Sequence, residues 1–485
     1  MSTISVKNLT FAYDGTADNV FENVSFTIDT AWKLGFVGRN GRGKTTFLKL
    51  LMGELDSNNS IKSDINFAYF PYEVSDKTLD TIVIAEQINP YLQEWQLFKE
   101  LSLLDVDSEV LYRPFSTLSQ GEQTKVMIAI LFIGEHNFLL IDEPTNHLDS
   151  DARRTLGRYL KSKSGFILVS HDRELLDNVC DHILTINKMN IEVQQGNFSS
   201  WEENKRRQDE FEFAENEKLK KDIKKLSVAA RRTSDWSDKL EKTKYGTTNS
   251  GSFVDRGYVG HKSAKMMQSA KNIERRQKKA IEEKSGLLKN IEYDYDLKIT
   301  PLRYHHETLI SIKNLVIQYE EKENVVCENV NFDIKRGDRI ALVGKNGSGK
   351  SSILKWIIEN ANKNLKISYV SQDTSDLCGN LCDYANRYGI SESLFKATLR
   401  KLDFDRKQFD KDIADFSSGQ KKKVLIARSL CEQAHLYIWD EPLNFIDVLT
   451  RIQIERLLEN ADITMIFVEH DKKFCKKIEN KRVNI

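Results

Sequence analysis

The 485-residue sequence has no net charge, few cysteines and no long apolar run. Lys and Arg number 72, as do Asp and Glu, so only the distribution of charge can point to a partner. No apolar stretch approaches the roughly 18–20 residues that cross a bilayer, and no membrane partner is expected. The opening MSTISVKNLTFAYDG lacks the apolar core of a secretory signal. The six cysteines (Cys180, Cys327, Cys378, Cys382, Cys431 and Cys475) are scattered, and Cys378 and Cys382 have no second ligand pair. Free thiols in a reducing, cytoplasmic compartment are therefore expected rather than zinc or disulfides. Residues 199–240 contain neither proline nor glycine, which removes any internal break from a helix there. At ~1.5 Å per residue, such a helix would reach about 60 Å.

What is present is mostly present twice. GRNGRGKTT at 38–46 returns as GKNGSGKSS at 344–352, and both fit the spacing G-x-x-x-x-G-K-[ST]. Glycines let successive backbone N–H groups converge on one anion at a helix N-terminus, the lysine reaches the β/γ-phosphates, and the hydroxyl serves Mg²⁺. Gly38, Arg39, Asn40, Gly41, Arg42, Gly43, Lys44, Thr45 and Thr46 are thus expected to bind ATP. So are Gly344, Lys345, Asn346, Gly347, Ser348, Gly349, Lys350, Ser351 and Ser352. Each loop follows an apolar strand-like run, KLGFV or RIALV, and precedes an amphipathic one.

The repeat extends well beyond these loops. ISVKNLTFAY (4–13) recurs as ISIKNLVIQY (310–319), and FENVSFTI (21–28) as CENVNFDI (327–334). LLIDEPTNHLD (139–149) recurs as YIWDEPLNFID (437–447), and ILVSHDRELL (167–176) as IFVEHDKKFC (466–475). Strand-like and helical patterns alternate in each half, the sign of a parallel α/β sheet covered by helices. The length suits roughly three domains: 1–198, a linker at 199–304, and 305–485.

Asp142 and Asp440 end apolar strands, where their carboxylates would help hold Mg²⁺ beside the hydroxyls of Thr45 and Ser351. Glu143 and Glu441 follow directly, placed to act as general bases toward water. His171 and His470 end later strands as a repeated His-Asp pair. LSQGE (118–122) and FSSGQ (416–420) open helices, where Ser119, Gly121, Ser417 and Gly419 offer hydroxyls, amides and the helix dipole to a phosphate.

These motifs, in one order and twice over, resemble the ATP-binding cassette (ABC) ATPases. The resemblance implies two tandem P-loop nucleotide-binding domains, ATP with Mg²⁺ as cofactor, and catalysis by Glu143, Glu441, His171 and His470. It also implies that each signature serves the opposite cassette, so that Lys44 faces Ser417 and Lys350 faces Ser119 within one monomeric chain. Tyr13 and Tyr319 each lie 31 residues before a P-loop lysine, where the family stacks adenine. The two sites differ: Tyr72 stands opposite Gln372, which the resemblance makes the Mg²⁺- and water-contacting glutamine, NFID (444–447) opposite NHLD (146–149), and Phe416 opens the second signature. Slower turnover is therefore expected at the site built on Lys44.

A second helical run at about 262–298 would return from a loop at 245–260, making a long α-helical hairpin. Between 242 and 284, eleven Lys and Arg face four Asp and Glu, an electrostatic footprint for a phosphate backbone. Lys242, Lys244, Arg256, Lys262, Lys265 and Lys271, with Phe253, Tyr258 and His261, are the candidate RNA contacts. Two cassettes, a charged helical linker and no membrane segment resemble the ABC-F proteins. That resemblance implies a ribosomal partner, with the linker near P-site tRNA and 23S rRNA. The first cassette leaves only 75 residues between Lys44 and Ser119, without room for a sizeable arm. This resembles the Lsa and Vga antibiotic-resistance branch, which relieves lincosamides, streptogramin A compounds and pleuromutilins. A housekeeping translation factor and the ATPase subunit of a transporter are the alternatives.

Overall fold

The computed structural model describes residues 2–13, 19–56, 60–62, 65–133, 138–146, 148–187, 190–243, 268, 272–273, 275–276, 279, 297–318, 325–345 and 347–485. They form two compact units, one of Met1–Trp201 with Asp294–Ile485, the other of Glu202–Tyr293.

Both cassettes lie in the first unit. In the first cassette one sheet runs, in spatial order, Phe67–Phe70, Phe138–Asp142, Phe166–Val169, Lys33–Val37, His182–Asn187 and Asn190–Gln195. All neighbours are parallel except the last pair. The second cassette repeats it with Ile367–Val370, Leu436–Asp440, Met465–Val468, Arg339–Val343 and Lys481–Asn484, all parallel. Each cassette adds an antiparallel pair, Thr3–Phe11 with Phe21–Asp29 and Thr308–Gln318 with Val325–Lys335.

The near-continuous apolar strands follow from burial on both faces. Along Phe138–Asp142, Leu139 and Ile141 enter one core while Phe138 and Leu140 enter the other. Along Leu436–Asp440, Tyr437 and Trp439 face one core, Leu436 and Ile438 the other. Alternation thus sorts every residue into a core, and the strand ends deliver Asp142 and Asp440 to the same sheet edge as the P-loops.

The cassettes join because the second contributes to the first one's core. Val448 and Ile452, from helix Val448–Asn460, pack into the cluster that includes Leu148, Leu156 and Leu175. Arg173, 4 % exposed, adds a bidentate bond to Glu455, which is 2 % exposed, and reaches Asp471 at 3.0 Å. A buried guanidinium whose terminal nitrogens are held by two carboxylates makes this part of the interface specific.

The helix Phe198–Thr243 starts by burying Phe198 and Trp201 in the first cassette's core. At ~1.5 Å per residue its 46 residues extend about 70 Å. Its exposed stretch carries short-range pairs such as Arg207–Glu203 and Lys205–Asp209, which support a helix surrounded by water. Residues 268, 272, 273, 275, 276 and 279 are helical as well. Residues 297–307 form no helix, and Leu297 is buried in the second cassette's core. The loop at 245–260 lies outside the described residues.

Candidate nucleotide sites

Each P-loop ends in a glycine with left-handed backbone, Gly43 at φ 96° and Gly349 at φ 88°, directly before helices Lys44–Met52 and Lys350–Asn360. A Cβ on Gly43 would meet Val20 Cγ1 at 2.6 Å, so both conformation and space require glycine there. Lys44 donates to the carbonyls of Gly38 at 2.7 Å and Arg39 at 3.3 Å. Lys350 does the same to Gly344 at 2.9 Å and Lys345 at 2.8 Å. The curled backbone holds each ammonium over the cradle where phosphate oxygens belong. Burial lowers the pKa of both lysines, while the Asp and Glu at the adjoining strand ends favour the charged forms.

The strand ends supply those carboxylates. Thr45 donates to Asp142 at 3.3 Å, and Tyr69 donates to the same oxygen at 3.2 Å. Asp440 is 1 % exposed; Ser351 hydrogen-bonds its carboxylate, and its Oδ1 has no hydrogen-bond partner. Burial raises both aspartates above the usual carboxylate range. Glu143 and Glu441 have left-handed backbones, φ 51° and 46°, uncommon for residues other than glycine and typical of stored strain at working sites.

The two glutamates sit in unlike surroundings. Glu441 accepts from Gln372 at 2.9 Å and Asn444 at 2.6 Å, and His470 Nε2 lies 3.3 Å from its other oxygen. Burial works against its charge, but the bonds from His470 and Gln372 prevail, and its pKa falls below the usual value. Among the described residues Glu143 accepts only from His171 N, at 3.4 Å. Its Oε1 receives no hydrogen bond although His171 Nε2 lies 3.2 Å away, and burial with the neighbouring Asp142 charge raises its pKa to about 8. Burial, with Lys44 next, also keeps His171 neutral.

The second cassette reaches the first P-loop through the segment that follows Glu441 and through Asp403. Asn40 Nδ2 donates to Phe445 O at 2.8 Å, and Arg42 pairs with Asp403 at 2.8 Å. Asp447, paired with Lys423 at 3.2 Å and facing the Asn40 N–H at 3.4 Å, is held well below the usual range despite full burial. A Cβ on Gly419 would stand 2.6 Å from Phe445 O and 3.1 Å from Asn40 Nδ2, whereas one on Gly121 would meet only Leu148 at 3.5 Å. Ser417 caps helix Ser418–Cys431 reciprocally with Gln420, and Ser119 bonds Glu122 in the same way.

The family model described as "ABC transporter" matches residues 21–146 and 327–444, just over half of the chain. The chain belongs to the ABC transporter family. Its ATP-binding cassettes make it an ATPase, and its relatives place it among the ABC-F ATP-binding proteins. "Ribosome protection protein VmlR" of Bacillus subtilis is 26 % identical, over 98 % of this chain and 85 % of that protein. "ABC transporter F family member 2" of Arabidopsis thaliana is 24 % identical, over 100 % and 76 %. Among solved structures, archaeal ribosome recycling factor aABCE1 in complex with the stalk protein aP1 aligns at TM-score 0.63 and 19 % identity, over 98 % of this chain and 87 % of that one. No helix among the described residues is long and apolar enough to cross a membrane.

In this ABC-F ATPase, Tyr13 is 44 % exposed and bonds Thr46 at 2.8 Å, beside the first P-loop. Tyr319 and Asn346 lie outside the described residues. Of the candidate RNA contacts, Lys242 belongs to helix Phe198–Thr243. Lys244, Phe253, Arg256, Tyr258, His261, Lys262, Lys265 and Lys271 lie outside the described residues. Several residues at the sites escaped the motif reading. Asn444 carried a signal, since Asn146 occupies the same place in the repeat. Tyr69, Arg451, which donates to His171 O at 3.0 Å, and Asp447 carried the same signal, their repeat equivalents being Tyr369, Arg153 and Asp149, but nothing in the sequence marked Arg451 or Asp447 as cross-cassette contacts.

Proposed function

We propose that the chain is a ribosome-associated ATPase that holds two ATP molecules between its cassettes and turns them over unequally. Lys44 and Lys350 bind the β/γ-phosphates; Ser417 and Gly419 complete the site of Lys44, and Ser119 and Gly121 that of Lys350. The donor set fits Mg²⁺: a hydroxyl already bonded to a buried carboxylate, with Asp440 Oδ1 left unpartnered. Thr45 with Asp142, and Ser351 with Asp440 and Gln372, would hold it. The ion would supply charge neutralisation on the phosphates. Glu441, ionised and held by Gln372, Asn444 and His470, orients and deprotonates the attacking water. Glu143, whose raised pKa leaves it largely protonated at neutral pH, is the less available base.

The observation that carries the cellular reading is the 26 % identity to VmlR over 98 % of this chain, across both cassettes and the linker. It favours ribosome protection, with the basic residues between 242 and 284 as the RNA-binding element and the tip directed at P-site tRNA and the peptidyl-transferase centre. Lincosamides, streptogramin A compounds and pleuromutilins are the drugs it would displace. A housekeeping translation role is the second reading, favoured by similar identity to plant ABC-F proteins. Expression in a drug-sensitive host separates them: raised tolerance to those classes supports protection, and ribosome co-sedimentation without any change in tolerance supports the housekeeping role. Sedimentation with membranes instead of ribosomes would contradict both.

A further inference from the structure

The two cassettes differ at three positions behind the catalytic glutamates, and the differences belong together. Counting from the aligned serines Ser119 and Ser417, Thr124 of the first cassette corresponds to Lys422 of the second. Thr145 corresponds to Leu443, and Ser170 to Glu469. In the first cassette these are small hydroxyl groups: Thr124 directs its hydroxyl to Gln120 O at 2.9 Å, and Thr145 and Ser170 share a bond of 3.3 Å. In the second, a cation and an anion replace two of them and an apolar residue the third. One positive and one negative charge enter together, so the buried region keeps its net charge.

Lys422 is 2 % exposed, and its ammonium donates to Ser371 O at 2.9 Å and Glu441 O at 3.1 Å. Those carbonyls flank the bond from Gln372 to Glu441: Ser371 immediately precedes Gln372, and the other carbonyl is that of Glu441 itself. One cation therefore ties the loop carrying Gln372 to the strained residue carrying the base. Glu469, 8 % exposed, accepts from Leu443 N at 2.7 Å and His470 N at 3.1 Å, which fixes the backbone of the histidine that approaches Glu441. The carboxylates of Glu469, Asp440, Glu441 and Asp373 favour the charged ammonium against its burial.

We propose that Lys422 is a positioning residue of the second cassette which, with Glu469, locks Gln372 and His470 onto Glu441. Among its described residues the first cassette has no equivalent of this lock. The inference rests on Glu441 being the base of the Lys350 site. Such a lock acts on geometry in the reacting complex, so its removal lowers kcat while ATP affinity, set by the P-loop, is kept.

The test uses the full chain carrying Glu143→Gln, so that turnover reports the Lys350 site. In that background Lys422→Met and the graft Lys422→Thr, Leu443→Thr, Glu469→Ser are compared with the parent. The graft installs a set that already packs in the first cassette, so it keeps the fold even if Lys422→Met does not. The expected result is a fall in kcat of about tenfold or more with KM for ATP within about twofold. The melting temperature of the graft should remain near that of the parent. A graft turning over at the parent rate while Glu441→Gln is inactive would overturn the positioning role alone. Parent-rate turnover by Glu441→Gln would overturn the base assignment and this inference with it.

Discussion

Replacing Arg173 by Met removes the buried cation that joins the cassettes. Its guanidinium contacts Glu455 and Asp471, with side-chain exposures of 4 %, 2 % and 8 %. Breaking a buried pair by deleting one partner costs about 3–5 kcal/mol, because the remaining charge stays desolvated. Here the loss falls near the lower end: Lys477 lies 3.9 Å from Glu455 and Arg451 3.7 Å from Asp471, and both offer partial compensation. About 3 kcal/mol corresponds to a drop of roughly 4 °C in melting temperature for a unit of this size. Lys472 supplies the control, since it occupies the repeat-equivalent position and pairs with Glu174 at 3.5 Å, with exposures of 37 % and 48 %. A solvated pair of that kind contributes less than about 1 kcal/mol, so Lys472→Met should melt within ~1 °C of the parent. Calorimetry of the nucleotide-free protein compares the two. Equal shifts, or none for Arg173→Met, would refute the claim that this ion cluster holds the cassettes together.

The remaining predictions address the sites and the linker. In Glu441→Gln, the residual ATPase should depend on Glu143, whose pKa is raised to about 8. A base is active when deprotonated, so the rate should rise about tenfold between pH 7 and pH 9; a flat profile would count against the assignment. In the Glu441→Gln background, where only the Lys44 site turns over, Gly419→Ala should cut ATPase at least tenfold, since its Cβ would stand 2.6 Å from a backbone carbonyl; in the Glu143→Gln background, Gly121→Ala, at 3.5 Å from Leu148, should cost the Lys350 site far less. Replacing Lys262, Lys265 and Lys271 by Ala should weaken ribosome binding and flatten its salt dependence. Deleting residues 246–260 should spare ATPase but abolish drug tolerance, to be read by susceptibility testing.

Much of the site was legible because phosphate chemistry constrains spacing. Gly43, Lys44 and Thr45 must follow one another on a strand–loop–helix turn, and Asp142 with Glu143 must end a buried strand, so local pattern locates them. The unequal environments of the glutamates were only partly legible. Tyr72 opposite Gln372 signalled asymmetry, but the added partner Asn444 and the unpartnered Oε1 of Glu143 depend on three-dimensional approach. The contacts between cassettes were not legible. Arg173 with Glu455, or Val448 and Ile452 in the first cassette's core, join residues about 280 positions apart and carry no spacing rule. Charges such as Lys422 and Glu469 read as surface residues until burial is known.

The central claim is that the site built on Lys350 carries most of the hydrolysis, because Glu441 is ionised and held by Gln372 and Asn444, whereas Glu143 is largely protonated at pH 7 and accepts one longer bond. Single-turnover hydrolysis of bound ATP at pH 7, by Glu143→Gln and Glu441→Gln in parallel, tests it most directly. The account predicts that Glu143→Gln keeps most of the parent rate while Glu441→Gln loses at least about tenfold. Equal losses in the two variants, or a greater loss in Glu143→Gln, would contradict it.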